Sequence, residues 1–240
     1  MLLTHQGVEH EDTVYTMEGS ATWFEDHKLN MGLDFPNLPY YVDGDLKLTQ
    51  SMAILRHLGR EHGLYGKDNK EASQIDMIMD LAGDMRLGLA RLAYNPDFVS
   101  NLGSYFSRHS NFKKSSFQEN QKAKHIESME PKFKQLSAFL EGKQFLMGDA
   151  LTIADFTMHD AIAWHQKLDE EIVKKFPNVV EYLERFRSQP KIKTFLEGDK
   201  AFELMFSPAA TWNGKWNKEY MFEGLFKSIF VRPKPKIVTK

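Results

Sequence analysis

The chain has 240 residues, a formal net charge of −2 and no cysteine. That length holds one large domain or two small ones. The near-neutral charge offers no general attraction for nucleic acid. The lack of cysteine excludes disulfides, thiolate metal sites and a cysteine nucleophile, and it fits a reducing compartment. No apolar run approaches membrane-spanning length, and the start, Met1-Leu2-Leu3-Thr4-His5, lacks the apolar stretch of a signal peptide, so a cytoplasmic protein is expected.

In chain order, the first third mixes strand and helix signals. Residues 12–16 form a short strand candidate around Val14 and Tyr15. Pro39-Tyr40-Tyr41-Val42, Asp43-Gly44-Asp45 and Leu46-Lys47-Leu48 predict a hairpin. Thr49-Gln50-Ser51 opens a helix with Met52, Leu55 and Leu58 at helical spacing and Gly63 as its stop. Helical patterns follow over 70–94, over 119–140 with an interruption at Pro131, over 152–168 and over 179–187. A mixed α/β segment before an all-helical one predicts two units joined near 66–70.

Two stretches stand outside this pattern. Residues 100–117 are rich in serine and basic side chains and contain no acidic residue. Residues 212–240 are aromatic and basic and include Arg232-Pro233-Lys234-Pro235-Lys236. The plain expectation is a solvated insertion and a loose tail. The sharper one is an acidic partner or membrane surface drawn by Arg108, Lys113, Lys114, Lys227 and Arg232.

Some residues suggest chemistry. Pro39 starts a strand, where it cannot donate to the ladder. Local sequence favours a trans Leu38–Pro39 bond; a cis bond would instead expose the Leu38 backbone, which could clamp an extended peptide. Gln50-Ser51 at a helix start suits a carboxylate, because free N–H groups and the dipole favour an anion there, although ordinary capping is commoner. Thr152-Ile153-Ala154-Asp155 has the form of a capping box with Asp at its last position. The nine histidines show no metal-ligand spacing. His159 and His165 are six positions apart, which separates them on a helix surface.

Gly32-Leu33-Asp34-Phe35-Pro36-Asn37-Leu38-Pro39-Tyr40-Tyr41 is similar to the signature of mu-class cytosolic glutathione S-transferases. Asp43-Gly44-Asp45 and Leu48-Thr49-Gln50-Ser51-Met52-Ala53-Ile54 continue it at the family's spacing. Asp84-Met85-Arg86, Ala93-Tyr94-Asn95-Pro96-Asp97-Phe98 and Gly148-Asp149 with Thr152 and Asp155 resemble its second domain. The resemblance spans 1–212 apart from the insertion. It implies a thioredoxin-like α/β N-terminal domain over 1–66, an all-α domain over 67–212 with an insertion around 100–117, and a tail over 213–240. The α/β domain would be incomplete: Met1-Leu2-Leu3 matches the middle of the family's first helix, so the family's first strand and its catalytic tyrosine have no counterpart, and Tyr15 matches the second strand. The tail, through 229–231, is one candidate to fill that place.

The resemblance also implies roles. It makes Pro39 cis, with Leu38 bonding the cysteinyl backbone of glutathione and Asn37 beside it in the binding loop. Gln50 and Ser51 would hold the γ-glutamyl carboxylate, and Trp23 and Lys28 the glycyl one. Asp84 would reach the γ-glutamyl amine across a homodimer, and Phe35 would be the apolar key between subunits. Tyr94 would face the electrophile. Ser20 stands where many members carry an arginine. The implied reaction is attack of the glutathione thiolate on electrophilic small molecules, in detoxification, with glutathione as co-substrate and no metal. The free thiol's pKa is about 8.5, so a lost hydroxyl donor to sulfur would cost on the order of 10²–10³ in rate. A non-catalytic dimeric scaffold is the other expectation.

Overall fold

A computed structural model describes residues 1–13, 15, 22–94 and 114–198, and for 114–120 the backbone alone. The readings of the insertion over 100–113 and of the tail lie outside the described residues, as does Ser20.

Helix α1 (Leu2–Gln6) ends at Gly7, whose φ of 75° closes it in the left-handed region. Of the strand expected over 12–16, the described part is an isolated bridge at Thr13 and the buried Tyr15. A single π-helical turn, Thr22–His27, runs into a short helix, α2 (Lys28–Asn30).

The hairpin forms as expected. Strands β1 (Tyr40–Asp43) and β2 (Leu46–Thr49) pair antiparallel with Tyr40 opposite Thr49. Gly44, at φ 55°, opens the two-residue turn, which suits the twist of the flanking strands. Helix α3 (Ser51–Glu61) follows at once, and Gly63, at φ 68°, ends it.

The second unit is helical. Its elements are α4 (Asn69–Ala93), α5 (Lys114–Phe139), α6 (Ile153–Leu168), α7 (Glu170–Lys174), α8 (Pro177–Arg187) and α9 (Pro190–Glu197). Asp68 caps α4 by accepting from the Glu71 N–H at 2.8 Å. The break expected at Pro131 does not occur: α5 runs straight through it. A proline inside a helix costs about 3 kcal/mol. Met129, Phe133 and Leu136, all buried, flank it, and each buried side chain returns roughly 1.5–3 kcal/mol.

The two units share one core. Leu2, Tyr41, Leu58 and Leu64 pack in the same cluster as Ile75, Met79, Phe133, Ile153 and Phe186. Gly59 lets α3 approach α6 closely, since a Cβ there would lie 2.7 Å from Ile153 Cγ2. The first N–H of α6, on Ile153, donates to the Leu64 carbonyl at 2.9 Å. Arg56 of α3 adds a polar tie to α4, donating to Asp76 at 2.5 Å and to Asp80 at 3.0 Å.

Candidate functional site

The Leu38–Pro39 peptide bond is cis, against the preference of the local sequence and in line with the resemblance. Pro39 delivers the chain directly into β1. Because Tyr40 faces Thr49, the start of β1 lies beside the end of β2. There Gln50 and Ser51 lead into α3. Sequence neighbours 37–39 and 49–51 are therefore brought together by the hairpin register.

Gln50 adopts φ 69° and ψ 107°, a conformation that a side chain other than glycine rarely takes. Such backbone strain costs of order 1–3 kcal/mol and concentrates at functional sites. Its carbonyl accepts from the Ile54 N–H at 3.0 Å, the first bond of the helix. The N–H groups of Ser51, Met52 and Ala53 therefore have no partner within α3. They form the positive end of its dipole.

Next to this helix start is an aromatic cluster that the sequence did not announce. Tyr15, Trp23 and Leu33 are buried together, with Leu38 and Tyr40 packed against them. Trp23 stacks on Tyr40 with centroids 5.9 Å apart and planes 6° from parallel. The Tyr15 hydroxyl lies 2.5 Å from His27 Nδ1 and 3.2 Å from the Tyr40 hydroxyl. Burial, and then the bond to Tyr40, pushes the Tyr15 phenol far above its ordinary range, so it stays protonated. Tyr41 is spoken for too: its hydroxyl donates to Asp43 at 3.3 Å. The cluster joins residues 15, 23 and 40 by tertiary packing; the sequence marked Tyr15 as part of a strand, Trp23 through the resemblance and Tyr40 inside the signature, but nothing in it joined the three.

The other expected site residues are distributed as follows. The Leu38 N–H is occupied, donating to Asn37 Oδ1 at 2.9 Å. Lys28 sits 5.7 Å from the centre of the Phe24 ring. Phe35 stands out into solvent at 75% exposure, the most open large apolar side chain among the described residues. Asp84 is exposed on α4, with Lys132 Nζ 3.8 Å away. Tyr94 caps the end of α4 and is 43% exposed. Trp23, Leu38, Gln50 and Ser51 thus lie around one feature, the cis-proline loop, whereas Asp84 and Tyr94 are carried by a different element.

Two family models match the chain: the glutathione S-transferase N-terminal domain over residues 1–60 and the glutathione S-transferase C-terminal domain over 100–199. The chain belongs to the glutathione S-transferase family, with that family's α/β N-terminal domain and helical C-terminal domain. Among relatives, the glutathione S-transferase class-mu 26 kDa isozyme 51 of Fasciola hepatica is 34% identical over 200 residues, covering 83% of this chain and 82% of that one. Glutathione S-transferase Mu 2 of Rattus norvegicus is 32% identical over 221 residues, covering 90% of this chain and 92% of its own. The crystal structure of the glutathione S-transferase Blo t 8 superimposes with a TM-score of 0.72 at 29% identity, over 88% of this chain and 92% of that chain. By this kinship the chain is an enzyme of the glutathione-transferring class.

Proposed function

We propose that this chain binds glutathione at the cis-proline loop and conjugates its thiolate to electrophilic small molecules, in detoxification. The observation that carries the proposal is the register of the hairpin. It sets Tyr40, two residues past Leu38, opposite Thr49, two residues before Ser51, where α3 begins with N–H groups that have no partner within the helix. An extended tripeptide meets there a strand-like edge and an anion site at once.

In this reading, the cysteinyl backbone pairs with Leu38 once the side chain of Asn37 yields the N–H it now holds. Asn37 then turns to the ligand. Gln50 and Ser51 hold the γ-glutamyl carboxylate at the positive end of α3. Trp23 and Lys28 take the glycyl carboxylate, and the stack on Tyr40 holds the indole in place. Asp84 of a second subunit meets the γ-glutamyl amine, with Phe35 as the key of a cytoplasmic homodimer. Tyr94 donates to the oxyanion that develops on the electrophile. Domain limits of 1–66 and 67–212, with a tail over 213–240, belong to the same proposal.

A second reading, a dimeric scaffold that binds glutathione without turning it over, is favoured by one observation. The described phenols near the loop, on Tyr15, Tyr40 and Tyr41, are engaged with His27, Tyr15 and Asp43 respectively. A free thiol with pKa about 8.5 is only a few per cent thiolate at pH 7, so a donor to sulfur matters.

The test is retention on immobilised glutathione together with conjugation to an aryl halide. Retention with turnover supports the transferase; retention alone supports the scaffold; folded protein that is not retained overturns both. Ser51→Ala should weaken glutathione binding about tenfold, the worth of a hydrogen bond to a charged group. Unchanged affinity in that variant would remove α3 from the site.

A further inference from the structure

We propose that His125 and His165 form an acid-sensitive clasp that fastens α5 to α6 against the C-terminal half of α4, and that protonation opens it. The clasp is independent of glutathione binding.

The two histidines are 40 positions apart in sequence, yet their Nε2 atoms are 3.2 Å from each other. The rings are nearly parallel, with planes 16° apart and centroids at 5.3 Å. His165 is fully buried. Its Nδ1 lies 2.7 Å from the Ala161 carbonyl. A carbonyl only accepts, so that nitrogen carries the hydrogen and Nε2 of His165 is left with a lone pair. Nε2 of His125 must then be the donor. Both rings are neutral; the Ala161 carbonyl fixes the tautomer of His165, and His165 in turn fixes that of His125. A second proton at His165 has one place to go, Nε2, where it would meet the N–H of His125 head on.

The surroundings make that proton unwelcome. Burial, and then the neighbouring His165, pushes His125 down to about 4. Burial also lowers His165; the bond to the Ala161 carbonyl works against this, the charge of Lys132 adds to it, and the net shift is downward. From α4, Asp84 faces Lys132 at 3.8 Å and the Arg86 guanidinium lies 4.7 Å over the Trp164 ring. From α5, Lys122 is paired with Asp169 at 3.0 Å. Lys175, past α7, pairs with Glu130 at 2.6 Å. The histidine–carboxylate pairs among the described residues are those of His10, His27 and His159, so neither clasp residue has a carboxylate to stabilise a cation.

Location gives the clasp its leverage. A Cβ at Gly88 would lie 3.4 Å from His125 Cε1, so the ring rests on nearly bare helix α4. Beside it Leu89, Leu92, Ala93 and Leu168 form a small cluster against Ile126 and Trp164. Gly88 lies six positions before Tyr94 at the end of α4. Separating α5 from α6 therefore uncovers the segment that holds Tyr94.

The direction in pH follows from the lowered values. An unfolded histidine near 6.5 takes its proton before the folded one does. The stabilising contribution is complete above about pH 6.5 and is lost as pH falls toward 4. A proton on His125 enters at Nδ1 and leaves the Nε2 bond in place, so it loosens the clasp through the cost of burying its charge, on the order of a hundredfold in the ratio of opened to closed chain, whereas a proton on His165 breaks the bond itself.

The experiment follows histidine proton resonances and amide exchange in the full chain from pH 7 to 4. His125 should titrate near 4. Exchange at 85–94 and 121–130, corrected for its intrinsic pH dependence, should accelerate selectively below pH 6. In His125→Gln the amide can donate to His165 or, turned over, accept from it, so the pH 7 spectrum should persist and the acceleration should shrink markedly, leaving the part due to buried His165. A His125 midpoint near 6.5 would overturn the clasp. So would equal acceleration in the variant, or acceleration spread evenly over the chain. Should the variant not fold, the wild-type midpoint and the location of exchange decide alone.

Discussion

Asp155 has no exposed surface and is among the most heavily bonded side chains of the fold. One carboxylate oxygen accepts from the Leu146 N–H at 2.9 Å and from the Tyr182 hydroxyl at 3.1 Å. The other accepts from the Thr152 N–H at 2.8 Å and from its hydroxyl at 3.1 Å. Burial pushes this carboxyl up while the four donors pull it down, and burial prevails. Asp155→Ala strands buried donors from three segments, each costing about 1–3 kcal/mol when left unpaired. We expect a loss of about 3–5 kcal/mol in urea unfolding, with an unchanged slope. A loss under 1 kcal/mol would mean that water replaces the carboxylate. The sequence disclosed half of this: Thr152 and Asp155 are three apart, the spacing of a capping box. Leu146 and Tyr182 reach Asp155 only through the fold. His125 and His165 were illegible for the same reason, since spacing along a chain reports local partners and these two meet across helices.

Among elements, the hairpin and the helices following it were readable because their signals are local. Gly44 supplies the turn, and Leu55 and Leu58 fall on one face of α3. The course of α5 was not readable, because the penalty at Pro131 is local and its compensation by Phe133 and Leu136 is tertiary. The contact of α3 with α6 is the sharpest constraint between elements. On an isolated helix, Gly59→Ala would stabilise by about 1 kcal/mol. Here the added methyl meets Ile153, and overpacking of this kind costs about 1–3 kcal/mol. The variant should melt at lower temperature, and Ile153→Val, which removes a methyl on the other side, should recover part of the loss. A gain in stability from Gly59→Ala alone would show that α3 shifts freely.

At the scale of the whole molecule, the legible part was the ordered set of motifs from Gly32 to Asp155. It led to the cis-proline loop and the α3 start together, which no single motif would have done. The aromatic support of Tyr15, His27 and Tyr40 beneath that loop came only with the structure. Phe35 presents 75% of its surface to solvent, and in the proposed dimer it fills a pocket of the second subunit. Truncating a central aromatic anchor typically costs 2–4 kcal/mol of association. Phe35→Ala should therefore raise the dimer dissociation constant by about 30- to 1,000-fold in sedimentation equilibrium. An unaltered association state would assign Phe35 another role.

The bond from Ile153 to the Leu64 carbonyl, together with the glycine contact beside it, bears on how this chain can change over time. Neither half can be exchanged for a relative's without its matching surface. A recombinant that takes its first sixty-odd residues from one parent and the remainder from another inherits a working seam only if both parents keep a small residue facing the start of α6. Crossovers between α3 and α4 should therefore survive between parents that share this pairing and fail between those that do not, whatever their overall identity.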